Sequence, residues 1–273
     1  MNVGICGAGT MGRGIALNAL LSKHTVCLAD IQSEVLEQAR QWIEKQLTSA
    51  VEKKRIKTKD AEAARSCVSY STSLESLADC NIIIEAVVEK VEIKNTVLAA
   101  LEKVMHSDAV LATNTSSISI ASLARPLVDP TRFAGLHFFN PAHIMKLVEV
   151  IQSPRTSNAT LNVCIDFAKS LGKSPVVARD VPGFIVNRIA RNFYNEAQRI
   201  VMEGAASVEQ VDRSVKGLGF RMGPFELMDL IGVGTNLDVT TSQWEQFYLE
   251  PRFQPSLLQK QMVDAGMKFG DKS

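Results

Sequence analysis

The sequence predicts an α/β fold in which a doubly wound, mostly parallel sheet is followed by an all-α C-terminal domain. Short β-branched apolar runs alternate with helical stretches in the first half of the chain. A glycine-rich turn separates the first run from the first helix, and mainly helical patterns remain after about residue 180. Strands that alternate with helices are typical of βαβ units, and the change of pattern indicates a second domain.

Five apolar runs are the predicted strands of the sheet. In chain order they read NVGIC, TVCLAD, CNIIIEAVV, AVLATN and FAGLHFF. The first helix follows the glycine turn as MGRGIALNALLSK, and a second begins after Ser33. This alternation predicts that most neighbouring strands run parallel.

One connection is longer than a plain crossover needs. Residues 33–65, between TVCLAD and CVSYS, are mostly helical and carry the basic run KKRIKTK at 53–59. We predict a helical hairpin that projects from the sheet. On its charge pattern alone, the basic run is typical of a solvated helix face.

The second half of the chain is dominated by helical spacing. A long helix is predicted in DVPGFIVNRIARNFYNEAQRIVMEG, with Asp180 as its N-cap, Pro182 near its first turn and Gly204 at its end. SVEQ at 207–210 has the spacing of a capping box that opens another helix.

Length and composition indicate a soluble globular protein of two domains, which we place at 1–180 and 181–273. The chain has 273 residues, 46% hydrophobic and 22% charged, and a formal net charge of +1. That charge gives no overall basic field for nucleic acid or for an anionic membrane, and no apolar run is long enough to span a bilayer. Five scattered cysteines indicate a reducing compartment. We therefore expect a cytoplasmic protein, or a mature chain already cleaved from a leader.

The glycine turn predicts a dinucleotide site. VGICGAGTMGRGIA places Gly7, Gly9 and Gly12 in GxGxxG spacing after a strand and before a helix, and Asp30 closes the next strand. Glycines permit the tight turn and the approach of a pyrophosphate, and the helix N-terminus offers N–H groups to the phosphates. Asp30 is suited to accept hydrogen bonds from the ribose hydroxyls and would repel a 2′-phosphate. The pattern predicts a Rossmann-type domain that binds NAD rather than NADP; the alternative is a glycine turn without a ligand.

A histidine and a glutamate occupy runs that should be core. His137 lies in FAGLHFF and Glu149 in KLVEVI. If these runs are antiparallel neighbours joined by NPAHIM, their residue numbers pair around a sum of 286, and the two side chains stand opposite each other. A carboxylate on one ring nitrogen fixes the tautomer and raises the basicity of the other, as a base that removes a hydroxyl proton requires. The alternative is a core ion pair that only stabilises the fold.

The remaining titratable and polar positions are weaker candidates. His24 is predicted in a turn, His106 at a polar helix end and His143 in the NPAHIM loop. No two histidines have metal-ligand spacing, so we predict no metal. The polar residues 114–117 follow a predicted strand, where ligands bind in doubly wound folds. A serine in this segment could equally act as a helix N-cap.

Taken together, the motifs resemble those of the short-chain L-3-hydroxyacyl-CoA dehydrogenases, including the bacterial 3-hydroxybutyryl-CoA dehydrogenases. The matching segments are GAGTMGRGIA, EAVVEKVEIK, TNTSS, GLHFFNPAHIMKLVEVI, DVPGFIVNR and GFRMGPFELMDLIG. The resemblance implies an N-terminal NAD-binding domain, a C-terminal helical domain that forms a homodimer, and NAD-linked oxidation of an L-3-hydroxyacyl-CoA to the 3-ketoacyl-CoA, or the reverse.

The resemblance also assigns roles to residues. The catalytic positions that it matches are His137 as base, Glu149 as its partner, Ser116 at the substrate oxygen and Asn187 from the helical domain. The positions that it matches to cofactor contacts are Glu89, Lys94, Asn114 and Asn140. Lys53, in the basic run, matches a position that meets coenzyme A, so the resemblance implies that the predicted hairpin holds the substrate's ADP group.

Some positions depart from the family pattern. Arg13 replaces a small residue near the pyrophosphate, NPAHIM replaces the more usual NPVPVM, and Gln46 replaces a serine that contacts coenzyme A in some relatives. The chain reads FGDKS where relatives continue into a glycine and aromatic tail. The sequence leaves open whether such a tail follows.

The function expected from the sequence is reversible, NAD-dependent oxidation of a short-chain L-3-hydroxyacyl-CoA, with 3-hydroxybutyryl-CoA as the expected substrate in fatty acid metabolism. Two alternatives remain. One is a gulonate-type sugar-acid dehydrogenase on the same scaffold. The other is a crystallin-like structural protein that binds NAD without turnover, which fold alone does not exclude. Acyl chain length, physiological direction and pathway are not given by the sequence.

Overall fold

A computed structural model describes residues 1–271 and shows two compact units, Met1–Asp180 and Val181–Ser273. The first unit contains one eight-stranded sheet in the order β3-β2-β1-β4-β5-β6-β7-β8. The strands are β1 Asn2–Cys6, β2 Thr25–Ala29, β3 Val68–Ser71, β4 Ile82–Glu85, β5 Val110–Thr113, β6 Phe133–Phe138, β7 Leu147–Gln152 and β8 Ser174–Arg179. Neighbouring strands are parallel except β6 and β7, which are antiparallel. The predicted fold class is confirmed.

Helices cover the sheet and make up most of the second unit. In the first unit they are α1 Thr10–Leu21, α2 Ser33–Glu52, α3 Thr58–Ser66, α4 Val91–Val104, α5 Ile120–Ala124 and α6 Asn158–Ser170. In the second they are α7 Val186–Met202, α8 Val208–Gly217, α9 Pro224–Ile231, α10 Val233–Gln246 and α11 Leu257–Asp264. None of the helices in the described part of the chain is long and apolar enough to cross a membrane.

The central strands are apolar at almost every position because helices cover both faces of the sheet. All four residues of β4, IIIE, and all four of β5, VLAT, are buried. Strands enclosed in this way read as continuous hydrophobic runs rather than as alternating patterns. A polar residue in such a strand therefore needs a partner inside the protein, which applies below to Glu85 and Thr113.

The predicted hairpin is present as α2 and α3, but it does not project from the body as expected. The inward face of α2 joins the main hydrophobic core through Leu36, Ala39, Ile43 and Leu47. The helix is amphipathic, so its apolar stripe packs on the body and its charged face remains in solvent. The basic turn between the two helices is exposed as well.

The N-cap predicted for the long helix of the second unit was wrong. α7 begins only at Val186, with Ile185 at its N-cap position, because the chain first turns through Gly183 (φ +76°) and Phe184 (φ +46°). The Asp180 carboxylate instead accepts hydrogen bonds at the start of α5, from Ser119 Oγ at 2.9 Å and from two backbone N–H groups.

The second unit has its own core and a helix start that matches the sequence pattern. Its core cluster contains the buried residues Tyr194, Ala197, Val211, Phe225, Met228, Val233 and Phe269. At α8, Ser207 Oγ accepts from the Gln210 backbone N–H, and the Gln210 side chain accepts from the Ser207 N–H at 2.8 Å. The predicted capping box is therefore confirmed.

Candidate active site

The glycine turn after β1 has the shape that a bound pyrophosphate needs. Gly7 has φ +105°, and a Cβ there would lie 2.6 Å from the Ala86 carbonyl oxygen. A Cβ at Gly12 would lie 1.7 Å from the Gly7 carbonyl oxygen, so α1 packs closely on the turn. Gly9, at the N-cap of α1, has no atom within 4 Å of a Cβ position. The turn is therefore tightly packed on its inner side and open above Gly9, where the N–H groups of α1 begin.

Asp30 lies at the end of β2, directly beside this turn. Its Oδ2 accepts a hydrogen bond from the Ala8 N–H at 2.8 Å, and its Oδ1 accepts one from the Gln32 N–H at 3.0 Å. The carboxylate is thus fixed next to the glycine turn. In dinucleotide-binding folds, an acidic residue at this spacing after the glycine motif binds the ribose.

His137 and Glu149 stand directly opposite each other on β6 and β7. The observed register pairs Gly135 with Ile151, His137 with Glu149 and Phe138 with Val148, so the register predicted from residue parity is confirmed. His137 Nδ1 lies 2.7 Å from Glu149 Oε2. Both side chains are buried, with residue exposures of 5% and 1%.

The hydrogen bond sets the tautomer of His137. An ionised carboxylate can only accept, so Nδ1 carries the proton and Nε2 carries the lone pair. The ring of Phe139 packs against the imidazole, with ring centroids 4.5 Å apart. The imidazole is therefore oriented on one side by a charge and on another by an aromatic ring.

A buried ion pair that the sequence analysis did not identify lies between β4 and α4. Lys94 Nζ lies 2.8 Å from Glu85 Oε1, and their side chains are 1% and 0% exposed. Glu85 Oε2 also accepts from Thr113 Oγ1 at 2.6 Å. The sequence contains the signal, since an acid at the end of IIIE must be paired in a strand buried on both faces.

Glu89 joins this ion pair to the loop after β5. Its Oε2 lies 3.2 Å from Lys94 Nζ, while its Oε1 accepts from Thr115 Oγ1 at 2.6 Å and from the Ser116 N–H at 2.8 Å. Burial raises the pKa of Glu89, but the Lys94 ammonium and the hydrogen bonds from Thr115 and Ser116 outweigh burial and hold that pKa below its usual value. Glu89 is therefore an anion that fixes the backbone of the segment containing Ser116.

The loop after β5 also contains Asn114 and Ser116, and side-chain hydrogen bonds hold both residues in position. Ser116 Oγ lies 3.2 Å from Glu89 Oε1. Asn114 Oδ1 accepts from the Phe138 N–H at 2.9 Å, which ties the end of β5 to the residue after His137. Glu85, Thr113 and His137 thus all lie near the carboxyl ends of parallel strands, the edge where ligands bind in doubly wound sheets.

Three further candidate residues lie in other parts of the chain. Asn140 is exposed in the loop between β6 and β7, before a cis peptide bond to Pro141. Lys53 is exposed at the end of α2, in the basic turn of the hairpin. Asn187 lies in the first turn of α7, in the second unit, and its role stays a prediction.

No cluster suited to a metal was found in residues 1–271. Among them, no group of three or more His, Cys, Asp or Glu side chains could hold a metal ion.

Fold and site together define a dinucleotide-binding α/β protein with a buried histidine–carboxylate pair at the ligand-binding edge of its sheet. Two family models together match nearly the whole chain. Residues 2–181 match the NAD-binding domain of 3-hydroxyacyl-CoA dehydrogenase, and residues 183–273 match the C-terminal domain of the same enzyme. The chain belongs to the 3-hydroxyacyl-CoA dehydrogenase family, and this membership indicates an NAD-dependent oxidoreductase.

Individual relatives agree with this assignment. The 3-hydroxyadipyl-CoA dehydrogenase of Escherichia coli is 42% identical over 99% of this chain, which spans 57% of that relative. The mitochondrial hydroxyacyl-coenzyme A dehydrogenase of Sus scrofa is 40% identical over 100% of this chain and 88% of its own. The crystal structure of 3-hydroxybutyryl-CoA dehydrogenase from Escherichia coli superposes with a TM-score of 0.97 at 40% identity, covering 99% of this chain and 59% of that chain.

Proposed function

We propose that this protein catalyses the reversible, NAD-dependent oxidation of a short-chain L-3-hydroxyacyl-CoA, with 3-hydroxybutyryl-CoA as substrate. The observation that carries the proposal is the buried His137–Glu149 pair, with 2.7 Å between Nδ1 and Oε2, at the same edge of the sheet as the glycine turn. A pair of this geometry is suited to take a proton from a secondary hydroxyl group.

His137 is the general base of the proposed reaction. With the proton on Nδ1 held by Glu149, Nε2 takes the proton of the 3-hydroxyl group as the carbonyl forms. The ring then becomes an imidazolium, and the Glu149 carboxylate stabilises that positive charge. In the reductive direction the same imidazolium donates its proton to the oxygen at C3. A positioned base of this kind contributes roughly 10²–10⁴-fold to the rate.

Ser116 and Asn187 are the proposed ligands of the substrate oxygens. Their side chains donate hydrogen bonds, either to the oxygen at C3 or to the thioester carbonyl, where negative charge develops. Glu89 supports this arrangement because it accepts a hydrogen bond from the Ser116 N–H at 2.8 Å and so fixes the backbone at Ser116. The Ser116 hydroxyl has one proton, which Glu89 accepts at 3.2 Å in this structure and which turns to the substrate oxygen when substrate binds.

The first unit fits NAD. The open space above Gly9, the close packing at Gly12 and the position of Asp30 beside the turn support a pyrophosphate and an adenosine ribose there. When bound, the nicotinamide supplies the hydride acceptor of the oxidation. Lys94, Glu89, Asn114 and Asn140 are the proposed contacts on the nicotinamide side. A 2′-phosphate would meet the Asp30 carboxylate, which favours NAD over NADP.

The substrate class rests on the basic turn and on the relatives. Lys53 and its exposed neighbours between α2 and α3 are suited to a phosphorylated ADP group. The names of the solved and curated relatives, 3-hydroxybutyryl-CoA and 3-hydroxyadipyl-CoA dehydrogenase, support an acyl-CoA of short chain. We also propose a homodimer formed through the helical unit, acting in fatty acid metabolism in the cytoplasm.

The proposal is tested by supplying L- and D-3-hydroxybutyryl-CoA with NAD and following NADH absorbance, with wild type, His137→Gln and His106→Gln. The last is a matched control, since His106 lies in a separate loop before β5. We expect turnover of the L isomer, loss of roughly 10²-fold or more in His137→Gln and little change in the control. Equal turnover by His137→Gln would remove His137 as the base, and no turnover by wild type would favour a sugar-acid substrate or a structural role.

A further inference from the structure

The loop that joins β6 to β7, residues 139–146, connects the proposed base to its acid. His137 is the second-last residue of β6 and Glu149 the third residue of β7. Asn140, a proposed cofactor contact, lies in the loop itself. Any shift of this loop therefore changes both the cofactor contact and the separation of the catalytic pair.

The loop forms a short turn that leaves backbone carbonyls pointing away from it. The Ile144 and Met145 N–H groups both donate to the Pro141 carbonyl at 2.9 Å. The carbonyls of Ala142 and Met145 instead accept hydrogen bonds from one side chain, Lys173, at 2.6 and 2.8 Å from its Nζ. Hydrogen bonds within the turn therefore leave the Ala142 and Met145 carbonyls to be bound by Lys173.

Lys173 comes from a different part of the chain, directly before β8. The next residue, Ser174, donates its N–H to the Lys146 carbonyl at 2.7 Å and is paired with Leu147 at the start of β7. The lysine is thus fixed by the sheet at the point where the loop enters β7. From there its side chain reaches back beneath the loop.

The ammonium group is buried, although burial of a cation is unfavourable. Lys173 is 8% exposed, and desolvation lowers its pKa to about 8. In residues 1–271 the structure shows no ion pair for Lys173, so its charge is met by carbonyl dipoles. An apolar side chain of similar length would avoid the desolvation penalty. A cation with three donors is instead suited to hold two carbonyls in a defined relative position.

The loop also rests on α1, the helix that begins at the glycine turn. A Cβ at Gly14 of α1 would lie 3.2 Å from the Ala142 Cβ, so the loop packs directly on the helix that begins at the glycine turn. The loop is therefore held by α1 and by Lys173, which both meet it at Ala142. Loss of the lysine side chain would remove the contact to the Met145 carbonyl, close to the point where the loop enters β7.

We propose that Lys173 is a positioning residue of the active site: by binding the Ala142 and Met145 carbonyls, it sets the position of Asn140 and the alignment of His137 with Glu149. The inference rests on the proposed dehydrogenase function. Lys173 acts through the loop, so its removal alters the rate of the chemical step more than the binding of coenzyme A at the basic turn.

The test compares Lys173→Met with Lys146→Met, the same substitution at an exposed lysine of the same loop. The first readout is kcat and KM with acetoacetyl-CoA and NADH. The second needs no turnover: the proton NMR signal of the imidazole N–H shared with Glu149, assigned by its loss in His137→Gln. Each variant is first shown to be folded by its thermal unfolding transition.

For Lys173→Met we expect kcat to fall by roughly tenfold to a hundredfold, as small misplacements of catalytic groups do, with little change in the KM for the thioester. The N–H signal should shift or broaden. In a His137→Gln background the same substitution should reduce the rate by a smaller factor than in wild type, because the alignment of His137 is already lost there. Lys146→Met should match wild type in every readout.

A folded Lys173→Met protein with wild-type kcat and an unchanged N–H signal would overturn the inference. So would a loss of rate that adds fully to that of His137→Gln. If Lys173→Met does not fold, Lys173→Gln, which keeps an amide donor, carries the same comparison. If wild type does not turn over acetoacetyl-CoA, the proposed function fails, and the N–H signal still decides the role of Lys173.

Discussion

Replacing Glu149 with glutamine tests the electrostatic part of the proposed mechanism with almost no change of shape. The carboxylate is 2.7 Å from His137 Nδ1, and both residues are buried. When His137 takes the substrate proton, a positive ring faces a negative carboxylate. Glu149→Gln removes that attraction and leaves a neutral amide of the same size.

The magnitude follows from Coulomb's law. Two unit charges about 4 Å apart interact by roughly 4 kcal/mol at an effective dielectric constant of ~20. With the proton partly transferred in the transition state, we expect a loss of about 2–4 kcal/mol, or roughly 30-fold to 700-fold in kcat at ~1.4 kcal/mol per decade. An amide nitrogen that donates to Nδ1 would also place the ring proton on Nε2, the wrong tautomer for a base.

The assay is the initial rate of NADH oxidation at saturating acetoacetyl-CoA, with NADH binding measured separately by fluorescence. Glu203→Gln, at an exposed position after α7, is the matched control and should keep the wild-type rate. A Glu149→Gln enzyme whose kcat stays within about threefold of wild type would refute the electrostatic argument, since that ratio corresponds to under ~1 kcal/mol.

Three further predictions concern other parts of the first unit. Lys94→Met leaves the Glu85 carboxylate buried without its cation, and we expect a loss of about 3–5 kcal/mol in the free energy of unfolding by urea denaturation; a loss below ~1 kcal/mol would mean that Glu85 finds another partner. Asp30→Ala should weaken NADH binding and bring the dissociation constants of NADH and NADPH closer together in fluorescence titrations. An unaltered ratio of the two dissociation constants would show that Asp30 does not reach the ribose. The pKa of Lys173, lowered by burial from 10.5 to about 8, predicts pH-dependent stability. Between these values the unfolded chain binds the proton that the folded protein has released, so stability relative to Lys173→Met should rise with pH over this range and be constant below it; a pH-independent difference would contradict the shift.

Local patterns in the sequence were sufficient for five of the eight strands, β1, β2, β4, β5 and β6, and for the opposition of His137 and Glu149. The strands are short apolar runs with clear ends, and side chains in a strand alternate with a period of two. Parity therefore fixed which residues of FAGLHFF and KLVEVI could face each other. The glycine turn was equally local, because Gly7, Gly9 and Gly12 act through backbone conformation and close approach.

Contacts between distant segments could not be read in this way. Asp180 was expected at the start of α7, but its carboxylate accepts hydrogen bonds from residues 119–121, at α5. A Ser, Thr or Asp before a predicted helix indicates a capping residue. The pattern does not tell which helix the side chain caps in the folded protein. The hairpin was expected to project because the connection is long for a plain crossover and carries the basic run KKRIKTK. One face of α2, however, carries an apolar stripe that packs on the body.

Lys173 shows the same limit at the candidate site. Nothing in the letters GKS distinguishes a surface lysine from a buried one, because its partners are backbone carbonyls of Ala142 and Met145. Glu85 differs, since an acid at the end of IIIE already requires a buried partner. Lys94, nine positions later and one turn into α4, was available as that partner.

The most direct test of the account is NADH absorbance while acetoacetyl-CoA is added to enzyme and NADH, with free acetoacetate as the control. We predict rapid loss of NADH with the thioester and none with the free acid, because in our proposal the basic turn that includes Lys53 holds the ADP group of the thioester. If the protein is folded and binds NADH but neither compound lowers the NADH absorbance, the proposed reaction is contradicted. The His137–Glu149 pair would then act on another substrate or have a structural role.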